Sequence, residues 1–577
     1  MIPRNEHPNP NFKRKNYEIL NGEWKFEFDF GNSGINREMF KNNSVFSKKI
    51  TVPFCVESEL SGIGYKDFIP AVWYRKKINI TKEQLENRVF IIFGAVDFHA
   101  KLYVNEKEAG EHFGGYTSFR IELTKYLKEG ENILTLYVED DTRSFMQARG
   151  KQSEEFYSHG CDYTRTTGIW QTVYLEVVKN DYIKNFKVYP NIENATLTIT
   201  ADLVGKGDFK ATAFWDNKQV GFVESKALGQ TVSVTLDLTE KHLWEVGKGG
   251  LYSLTLNFGD DEVTSYFGLR EVKLEDGVCK INGKPVFQRL ILDQGFYPDG
   301  IYTAPTKEAL KNDILLSMKV GFNGARLHQK IFEPLFLHYC DELGYIVWGE
   351  HGNWGLNWTK FESLRYFLLE IEEEIERDFN HPSIIGWCPY NETWEINRAF
   401  QDKDVLKIVY RTVKALDKTR PCIDTSGNYH VETDIFDVHD YEQDYKIFKE
   451  NYDKLFKENE LYDKFPDKHQ WKGEPVFMSE YGGIRVVLQD KNAENTKEAW
   501  GYGNAARSLE EFYERYEGLT TALIDNPKML GFCYTQLTDV EQELNGIYYY
   551  DRSEKFDAER LYKINTKVAA IERWIKN

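Results

Sequence analysis

The sequence lacks the features of a membrane protein, a disulfide-rich scaffold or a nucleic-acid-binding protein. It has no run of about 18 consecutive apolar residues and no short apolar core near its start, so we expect a cytoplasmic protein with no membrane partner. Its 7 cysteines are scattered and include no C-x-x-C pair, which argues against a disulfide framework and a thiolate zinc site. Asp and Glu number 91 against 73 Lys and Arg, a net charge of −18, which disfavours nucleic acid as a partner.

Signatures of metal and nucleotide cofactors are also missing. The sequence contains no H-E-x-x-H motif, no EF-hand loop, and no H-x-H pair at the first strand of the predicted barrel described below. No Gly-rich phosphate turn follows any predicted strand. Glu350 and His351 are the nearest approach to a magnesium site, and they are too weak a signal to predict one. We therefore predict no cofactor.

The composition is that of a folded chain. Hydrophobic residues make up 41% and charged residues 28%, which are ordinary values for a globular protein. Aromatic residues reach 15%, which suits large β-sheet cores or a site that stacks on flat ligands. The 577 residues provide for three or four domains at about 100–200 residues each.

The first 270 residues predict two all-β domains. Alternating apolar and polar residues at 24–30, 133–138 and 172–177 indicate strands, and their number and spacing favour a jelly-roll β-sandwich over residues 1–180. The same alternation continues over 181–270, where the length favours a small immunoglobulin-like β-sandwich without the paired cysteines of antibody domains.

From residue 271 to 577 short apolar strands alternate with helices, which predicts a (β/α)8 TIM barrel. One predicted helix, over 306–319, begins at an N-cap Thr306, and another, over 334–343, ends at Gly344. The predicted barrel strands are 285–290, 323–327, 345–348, 384–388, 421–424, 436–439, 476–479 and 531–535.

Two glutamates fall at the carboxyl ends of opposite barrel strands, where barrel enzymes carry their chemistry. Glu392 follows the fourth predicted strand and Glu480 the seventh. Facing carboxylates are what retaining glycoside hydrolysis requires, one as nucleophile and one as general acid and base. Repulsion between them and partial burial should raise the pKa of the acid.

Several segments resemble glycoside hydrolase family 2, which includes β-galactosidases, β-glucuronidases and β-mannosidases. The resemblance spans nearly the whole chain and includes the order of the three domains. The segments are GEW at 22–24, GIW at 168–170, GFNGAR at 321–326, CDELGYIVW at 340–348, NHPSIIGW at 380–387 leading to Asn391-Glu392, and SEYG at 479–482.

The resemblance implies a role for each matching residue. Glu392 is the general acid and base and Glu480 the nucleophile, while Asn391 bonds the sugar 2-hydroxyl. Arg326 ends the second strand, where a fixed cation can bond the nucleophile and favour its ionised form. The remaining expected contacts to sugar or nucleophile are Asp162, His381, and Tyr441 or its neighbour His439.

Departures from the family pattern affect the prediction of which sugar the protein accepts. Asp293 stands where many relatives have a His, and 327–330 read LHQK in place of a Ser/His/Tyr/Pro run. The Asn-x-Lys clamp for a sugar carboxylate is absent, because the matching segment at 545–548 reads NGIY. Two sets of residues supplement the site: cations that would meet a uronic acid, Arg165, Lys330 and Arg552, and a stacking wall of Trp354, Trp358, Trp394 and Trp471.

These observations favour a retaining exo-β-glycosidase that removes a terminal sugar from small oligosaccharides or glycosides. The favoured substrate is a β-D-galactoside. A β-uronidase and an α-L-arabinosidase are the alternatives among enzymes. A catalytically silent carbohydrate-binding protein is the alternative of another class, and the presence of both glutamates argues against it. A homo-oligomer is compatible with the sequence but not indicated by it.

Overall fold

The structure, a computed structural model, describes residues 2–487 and 499–573, and it begins with a two-sheet β-sandwich. Its core is formed by apolar side chains that alternate along the strands, such as Trp24, Phe26, Leu134 and Leu136. The four-stranded sheet has the order Tyr17–Ile19, Val173–Val178, Arg88–Phe93 and Phe119–Glu122. The six-stranded sheet has the order Lys48–Val52, Gly22–Phe28, Ala71–Ile80, Gly130–Glu139, His99–Val104 and Lys107–Phe113. A further pair, Val96–Asp97 and Gly168–Ile169, lies beside them.

A second sandwich follows, again antiparallel throughout. Leu197, Ile199 and Ala201 face its core, as their alternation with threonines predicts. One sheet contains Tyr182–Asn191, Thr196–Val204 and Thr231–Asp237, and the other contains Lys218–Ala227, Gly207–Trp215, Tyr252–Phe258 and Asp261–Phe267. A small sheet of Val272–Glu275, Val278–Ile281 and Lys284–Pro285 leads into the next unit.

The last unit is a TIM barrel, as predicted, and its strands run parallel. Apolar side chains including Leu290, Trp348, Phe477 and Cys533 fill its interior. Seven strands form one sheet in the order Ile384–Cys388, Ile346–Glu350, Gly324–Leu327, Gln288–Asp293, Met529–Thr535, Val476–Gly482 and Phe436–Asp440.

Two predicted barrel strands differ from the structure. The first is Gln288–Asp293 in place of 285–290, because Pro285 belongs to the preceding hairpin and cannot donate to a central ladder. The fifth, predicted at 421–424, is reduced to a bridge between Cys422 and Trp387 and the two-residue strand Thr425–Ser426, which pairs with Tyr390–Asn391. The gap between the fourth and sixth strands is thus closed by short pieces of strand.

Helices surround the barrel strands. The Thr306 side chain accepts a hydrogen bond from the Ala309 amide and begins a helix as predicted. Gly344 ends the next helix with φ of 68°, a left-handed conformation that favours glycine. The helices are Lys82–Leu85 in the first sandwich and, in the barrel, Lys307–Lys319, Pro334–Leu343, Leu364–Asp378, Lys403–Leu416, Tyr445–Lys457, Leu509–Ile524, Ala558–Asn565 and Ala570–Arg573. Within the described residues, none of the helices combines the length and apolar character needed to cross a bilayer.

A loop of the first sandwich, residues 147–165, lies on the mouth of the barrel. The amides of Arg149 and Gly150 donate to the Trp354 carbonyl at 2.8 and 3.2 Å. The Tyr163 hydroxyl donates to Glu543 Oε2 at 2.6 Å. This loop brings residues distant in sequence to the edge of the barrel, where the candidate site lies.

Candidate active site

The two predicted glutamates face each other at the carboxyl-terminal end of the barrel. Glu480 lies within the Val476–Gly482 strand and is 3% exposed. Glu392 directly follows the short Tyr390–Asn391 strand, and its amide donates to the Ser426 carbonyl. A carboxylate oxygen of Glu392 lies within 4.8 Å of one of Glu480. This proximity fits the separation of about 5–5.5 Å between carboxyl groups that typifies retaining glycosidases.

Arg326 is the fixed cation beneath the pair. It ends the Gly324–Leu327 strand and is 1% exposed, so its charge needs neighbouring acceptors. Its Nη1 donates to Glu480 Oε1 at 3.1 Å and to the Ser479 carbonyl at 2.8 Å. Its Nε donates to Glu350 Oε1 at 2.5 Å, and its Nη2 to Asn391 Oδ1 at 3.0 Å. One guanidinium therefore orients three side chains of the site.

Tyr441 and His439, which sequence reasoning treated as alternatives, both contact Glu480. The Tyr441 hydroxyl donates to Glu480 Oε2 at 2.5 Å. His439 Nδ1 lies 3.4 Å from the same oxygen and 2.8 Å from Glu392 Oε1. The imidazole thus connects the two carboxylates.

Asn391 has a free hydrogen-bond donor at the centre of the site. Its Oδ1 accepts from Arg326, while its Nδ2, in a residue only 1% exposed, has no partner among the described residues. A buried donor without an acceptor is costly, and a ligand hydroxyl would satisfy it. This arrangement is compatible with the expected contact to a sugar 2-hydroxyl.

The charge on Glu392 differs from the sequence expectation. Burial favours the neutral acid, as expected, but a hydrogen bond from His439 and the positive charges of His439, Lys151 and His328 outweigh it, so the pKa of Glu392 lies below its ordinary value. Conversely, burial opposes the charged form of His439, while Glu480 and Glu392 raise its pKa. In the free site, the proton therefore resides on the imidazole.

We expect the alkaline limb of the kcat/KM profile to follow loss of the proton shared by Glu392 and His439. The pair keeps this proton until the pH passes the raised pKa of the imidazole. In His439→Gln, position 439 has no imidazole to hold the proton, so the proton must reside on the Glu392 carboxyl. A carboxylic acid loses its proton at lower pH than the imidazolium, so the alkaline limb should move to lower pH. His242→Gln, in the second sandwich, is the control. A limb that stays in place in His439→Gln would contradict the shared proton.

His439 also begins a hydrogen-bonded chain that leads away from the site. Its Nε2 lies 3.0 Å from Ser426 Oγ, which donates to Asp437 Oδ2 at 2.5 Å. The other oxygen of Asp437 lies 3.2 Å from His430 Nε2, and His430 Nδ1 lies 2.7 Å from Asp424. Imidazoles and carboxylates thus alternate behind the two glutamates and fix the orientation of the His439 ring.

The wall of the mouth is built from the sandwich loop and from tryptophans. Trp394 Nε1 lies 3.4 Å from Glu392 Oε2, and Trp354 Nε1 donates to the Asn391 carbonyl at 3.2 Å. Lys151 Nζ lies 3.7 Å from the centre of the Trp354 ring. Asp162, a predicted sugar contact, accepts from Arg149 Nη1 at 2.6 Å.

Two of the predicted contacts are wrong. His381 precedes the Ile384–Cys388 strand and so lies towards the opposite end of the barrel, where it is 0% exposed and contacts Asp341 Oδ2 at 2.5 Å. Trp471 likewise precedes its strand, and its indole donates within its own loop to the Glu474 carbonyl at 2.7 Å. Both errors arose because position relative to a strand, and not proximity in sequence to a motif, decides which end of the barrel a residue occupies.

Asp293 and the three cations proposed for a uronic acid are engaged elsewhere. Asp293 ends the first strand, where its Oδ1 accepts from the Gly295 amide, and burial and repulsion from Asp313 raise its pKa to about 7. Arg165 and Lys330 donate to backbone carbonyls, and Arg552 donates to Asp313 and to two backbone carbonyls. None of these four forms a hydrogen bond or an ion pair with Glu392 or Glu480.

In the part of the chain that the structure describes, two clusters have donor atoms spaced closely enough for a metal ion, one at Glu392, His439 and Glu480 and one at Glu154, His159 and Asp162. In both, cations of the protein already contact the carboxylates: Arg326 and His439 in the first, Arg149 in the second. Glu350, the weak magnesium candidate, is likewise paired with Arg326 and His328. The donor sets therefore do not require a metal for charge balance, and the prediction of no cofactor stays a prediction.

Sequence reasoning missed residues that contact the site from other segments. Glu350 was considered only as a weak magnesium candidate, although its place at the end of the third strand, near the strand ends that hold Arg326 and Glu480, was a signal for a site contact. Ser426 could not be found, because it depends on the irregular fifth strand. Lys151 and Glu543 lie in loops, and the direction of a loop side chain has no periodic signature.

The fold and the site together define a TIM-barrel protein with paired carboxylates at its mouth, preceded by two β-sandwiches. Residues 17–178 match the model described as glycosyl hydrolases family 2, sugar binding domain, and residues 272–568 match the TIM barrel domain of the same family. The chain belongs to glycosyl hydrolase family 2, as the sequence motifs indicated.

The similar proteins are named for two different activities, beta-galactosidase and beta-glucuronidase. A beta-galactosidase of Thermoanaerobacter pseudethanolicus is 26% identical over 426 residues, which cover 70% of this chain and 53% of that protein. A beta-glucuronidase of Streptococcus agalactiae is 23% identical over 525 residues, 82% of this chain and 83% of that protein. A solved Lactobacillus rhamnosus beta-glucuronidase superimposes with a TM-score of 0.80 at 19% identity, over 98% of this chain and 100% of its own. The chain spans about half the length of the beta-galactosidases that it matches.

Proposed function

We propose that the protein is a retaining exo-β-glycosidase that hydrolyses a terminal β-linked sugar by double displacement. In the first step, Glu480 attacks the anomeric carbon while Glu392 protonates the departing oxygen. The glycosidic bond breaks as the bond to Glu480 forms, so the sugar is held as a covalent ester. The proton on Glu392 is the one that it shares with His439 in the free site.

The second step reverses the first with water as the entering group. Glu392, now ionised, removes a proton from the water, whose oxygen attacks the anomeric carbon and displaces Glu480. Two inversions give net retention of configuration. Arg326 and Tyr441 contact Glu480 through fixed donors, which orient the carboxylate for both attacks and stabilise its charge when it leaves.

One observation carries the proposal: both glutamates contact His439 Nδ1, at 2.8 and 3.4 Å, and an oxygen of one carboxylate lies within 4.8 Å of an oxygen of the other. An inverting pair would need about 6.5–9.5 Å to admit a water between acid and base. A carbohydrate-binding protein without catalysis would have no need for a buried guanidinium against Glu480 or for a proton held beside Glu392.

The test is the configuration of the first product. We expect proton NMR, recorded during hydrolysis of a panel of aryl β-glycosides, to show the β-anomer before mutarotation. The panel includes β-D-galactoside, β-D-glucoside, β-D-glucuronide, β-D-galacturonide and the aryl α-L-arabinoside. Initial appearance of the α-anomer from a β-D-glycoside would overturn the retaining mechanism, and no hydrolysis of any member would favour a binding protein.

The identity of the sugar is part of the proposal. The sequence favoured a β-D-galactoside, and relatives named beta-galactosidase support that choice. A β-uronide is the second candidate, supported by relatives and solved structures named beta-glucuronidase and by a cation at the mouth.

A further inference from the structure

A cavity lies between the second sandwich and the end of the barrel opposite the catalytic mouth. Its volume is about 330 Å³, at the lower end of the range for small-molecule sites. The sandwich contributes the end of the Tyr182–Asn191 strand, and the barrel contributes the segments that precede its fourth and fifth strands. The charged residues of the lining are the carboxylate Glu271 and the cations Arg270, Lys273, Lys418 and Arg420. Positive charge is therefore in excess here, although the chain as a whole has a net charge of −18.

Arg270 is a buried cation in the wall of this cavity. The residue is 7% exposed, and within the described residues it forms no ion pair with a carboxylate. Its Nε donates to the Pro382 carbonyl and its Nη2 to the Ile384 carbonyl, both at 2.9 Å. Carbonyl oxygens accept hydrogen bonds from a guanidinium but do not neutralise its charge, and a buried charge without a counter-ion is costly. An anion in the cavity would remove that cost.

A second guanidinium lies beside the first. Arg420, which is 4% exposed, donates from Nε to the same Ile384 carbonyl at 2.8 Å, so the two guanidiniums converge on one oxygen. Asp417 pairs with Arg420 at 2.7 Å and also accepts from the Thr419 hydroxyl. Burial and then the charge of Arg420 lower the pKa of Arg270 to about 9, although Asp417 raises it. Arg270 is still charged at pH 7, and the carboxylate that offsets its charge most is the partner of Arg420.

The lysines at the rim leave the excess of charge in place. Lys273 pairs with Glu271 at 2.7 Å and so uses the carboxylate of the lining. Lys418 is exposed, and in the part of the chain that the structure describes it forms no ion pair. Once these pairs are counted, Arg270 and Lys418 remain without an opposite charge in contact.

Contacts between the second sandwich and the barrel fix the walls of the cavity. The Asn380 side chain accepts from the Val188 amide and donates to the Phe186 carbonyl, both at 2.9 Å. The rings of Tyr189 and Phe379 lie with their centroids 5.3 Å apart. The cavity is therefore formed before any ligand arrives, which lowers the entropic cost of binding.

We propose that this cavity binds a phosphate group, free or as the ester of a small metabolite, through Arg270 and Lys418. A phosphate group carries a charge of about −1.5 to −2 at pH 7, which matches the two cations that lack an opposite charge. Its oxygens also fit the planar fork of a guanidinium. The apolar lining of Val272, Phe379 and Pro382 offers a surface for the carbon atoms of an ester. The site lies at the other end of the barrel from Glu480, so the inference goes beyond the proposed glycosidase function and does not depend on it.

Isothermal titration calorimetry of the full chain tests the site, with inorganic phosphate and glycerol 3-phosphate in chloride buffers of equal ionic strength. We expect saturable binding at one site per chain. Lys418→Glu changes an exposed side chain and should weaken binding by about 10- to 100-fold, the loss of one charge-assisted contact. Lys241→Glu, at an exposed lysine of the second sandwich outside the cavity, is the matched control and should bind as the wild type does. Tighter binding of glycerol 3-phosphate would identify an ester as the ligand, and tighter binding of inorganic phosphate would identify the free anion.

A variant of the buried cation completes the test. Arg270→Met should abolish binding, and circular dichroism shows whether this variant is folded; if it is not, the comparison of Lys418→Glu with Lys241→Glu decides. Phosphate should also raise the unfolding temperature of the wild type more than that of Lys418→Glu, because a ligand stabilises the state that binds it. A wild type that binds neither phosphate would overturn the inference. So would equal affinity in the wild type and Lys418→Glu, since the anion would then be bound elsewhere.

Discussion

Replacement of Glu480 by Gly should lower turnover by a factor on the order of 10⁵ and allow azide to restore it with inverted product. Without the nucleophile, no covalent sugar ester can form. The smaller side chain leaves room for azide to attack an activated aryl β-D-glycoside from the vacated face. The product is then the α-glycosyl azide, which NMR of the isolated product identifies.

The matched variant, Glu392→Ala, should give the opposite anomer. Glu480 remains able to attack substrates whose leaving group needs no proton, so the ester forms and accumulates. Azide then attacks the ester and yields the β-glycosyl azide. The pair forms an internal control, since misfolding would not produce opposite stereochemistry. The same anomer from both variants, or full activity of Glu392→Ala on poor leaving groups, would show that the roles are wrongly assigned.

Arg326→Met should destabilise the protein and reduce catalysis together. The change removes the guanidinium from Glu350, Glu480 and Asn391, and it leaves Glu350, itself 1% exposed, without that cation. Breaking a buried pair in this way costs about 3–5 kcal/mol. Loss of a fixed donor to the nucleophile should also lower kcat/KM by about 10²–10³-fold. Thermal unfolding and steady-state kinetics measure the two effects.

A double variant distinguishes folding from catalysis. Arg326→Met with Glu350→Gln removes the buried carboxylate that has lost its guanidinium partner and keeps only His328, so we expect part of the lost thermal stability to return. Activity should stay low, because Glu480 and Asn391 still lack their donor. Recovery of kcat/KM in parallel with stability would show that Arg326 acts only through the fold. Arg326→Lys keeps a charge but cannot reach all three acceptors, and it should lie between wild type and Arg326→Met.

The fold was predictable wherever a regular period controls the side chains. Alternation at Leu197, Ile199 and Ala201 gave the sandwich strands, and the capping residues Thr306 and Gly344 gave the ends of two barrel helices. The fifth barrel strand was not predictable as it stands. The strand Thr425–Ser426 forms because it pairs with Tyr390–Asn391, a segment distant in sequence, and not because of a local pattern.

The candidate site shows the same division. Glu392, Glu480 and Arg326 stand at strand ends, so the barrel geometry predicts where they meet. The charge of Glu392 was not predictable, because it depends first on an imidazole 2.8 Å away, whose ring contacts Ser426, and then on the cations Lys151 and His328 from other segments. Lys151 was missed for a similar reason: its place at the mouth results from the docking of one domain on another, which has no signal in a single sequence.

The mouth of the barrel is lined by residues from two domains, the barrel itself and the sandwich loop that covers it. The groups around Arg326 all come from barrel strands, whereas Lys151, Asp162 and Tyr163 come from a segment that precedes the first barrel strand by more than 100 residues. Substitutions in that segment can change the side chains at the rim of the mouth and leave the groups around Arg326 untouched. The lining of the mouth and the groups around Arg326 can therefore vary independently of one another, because they belong to different domains of the chain.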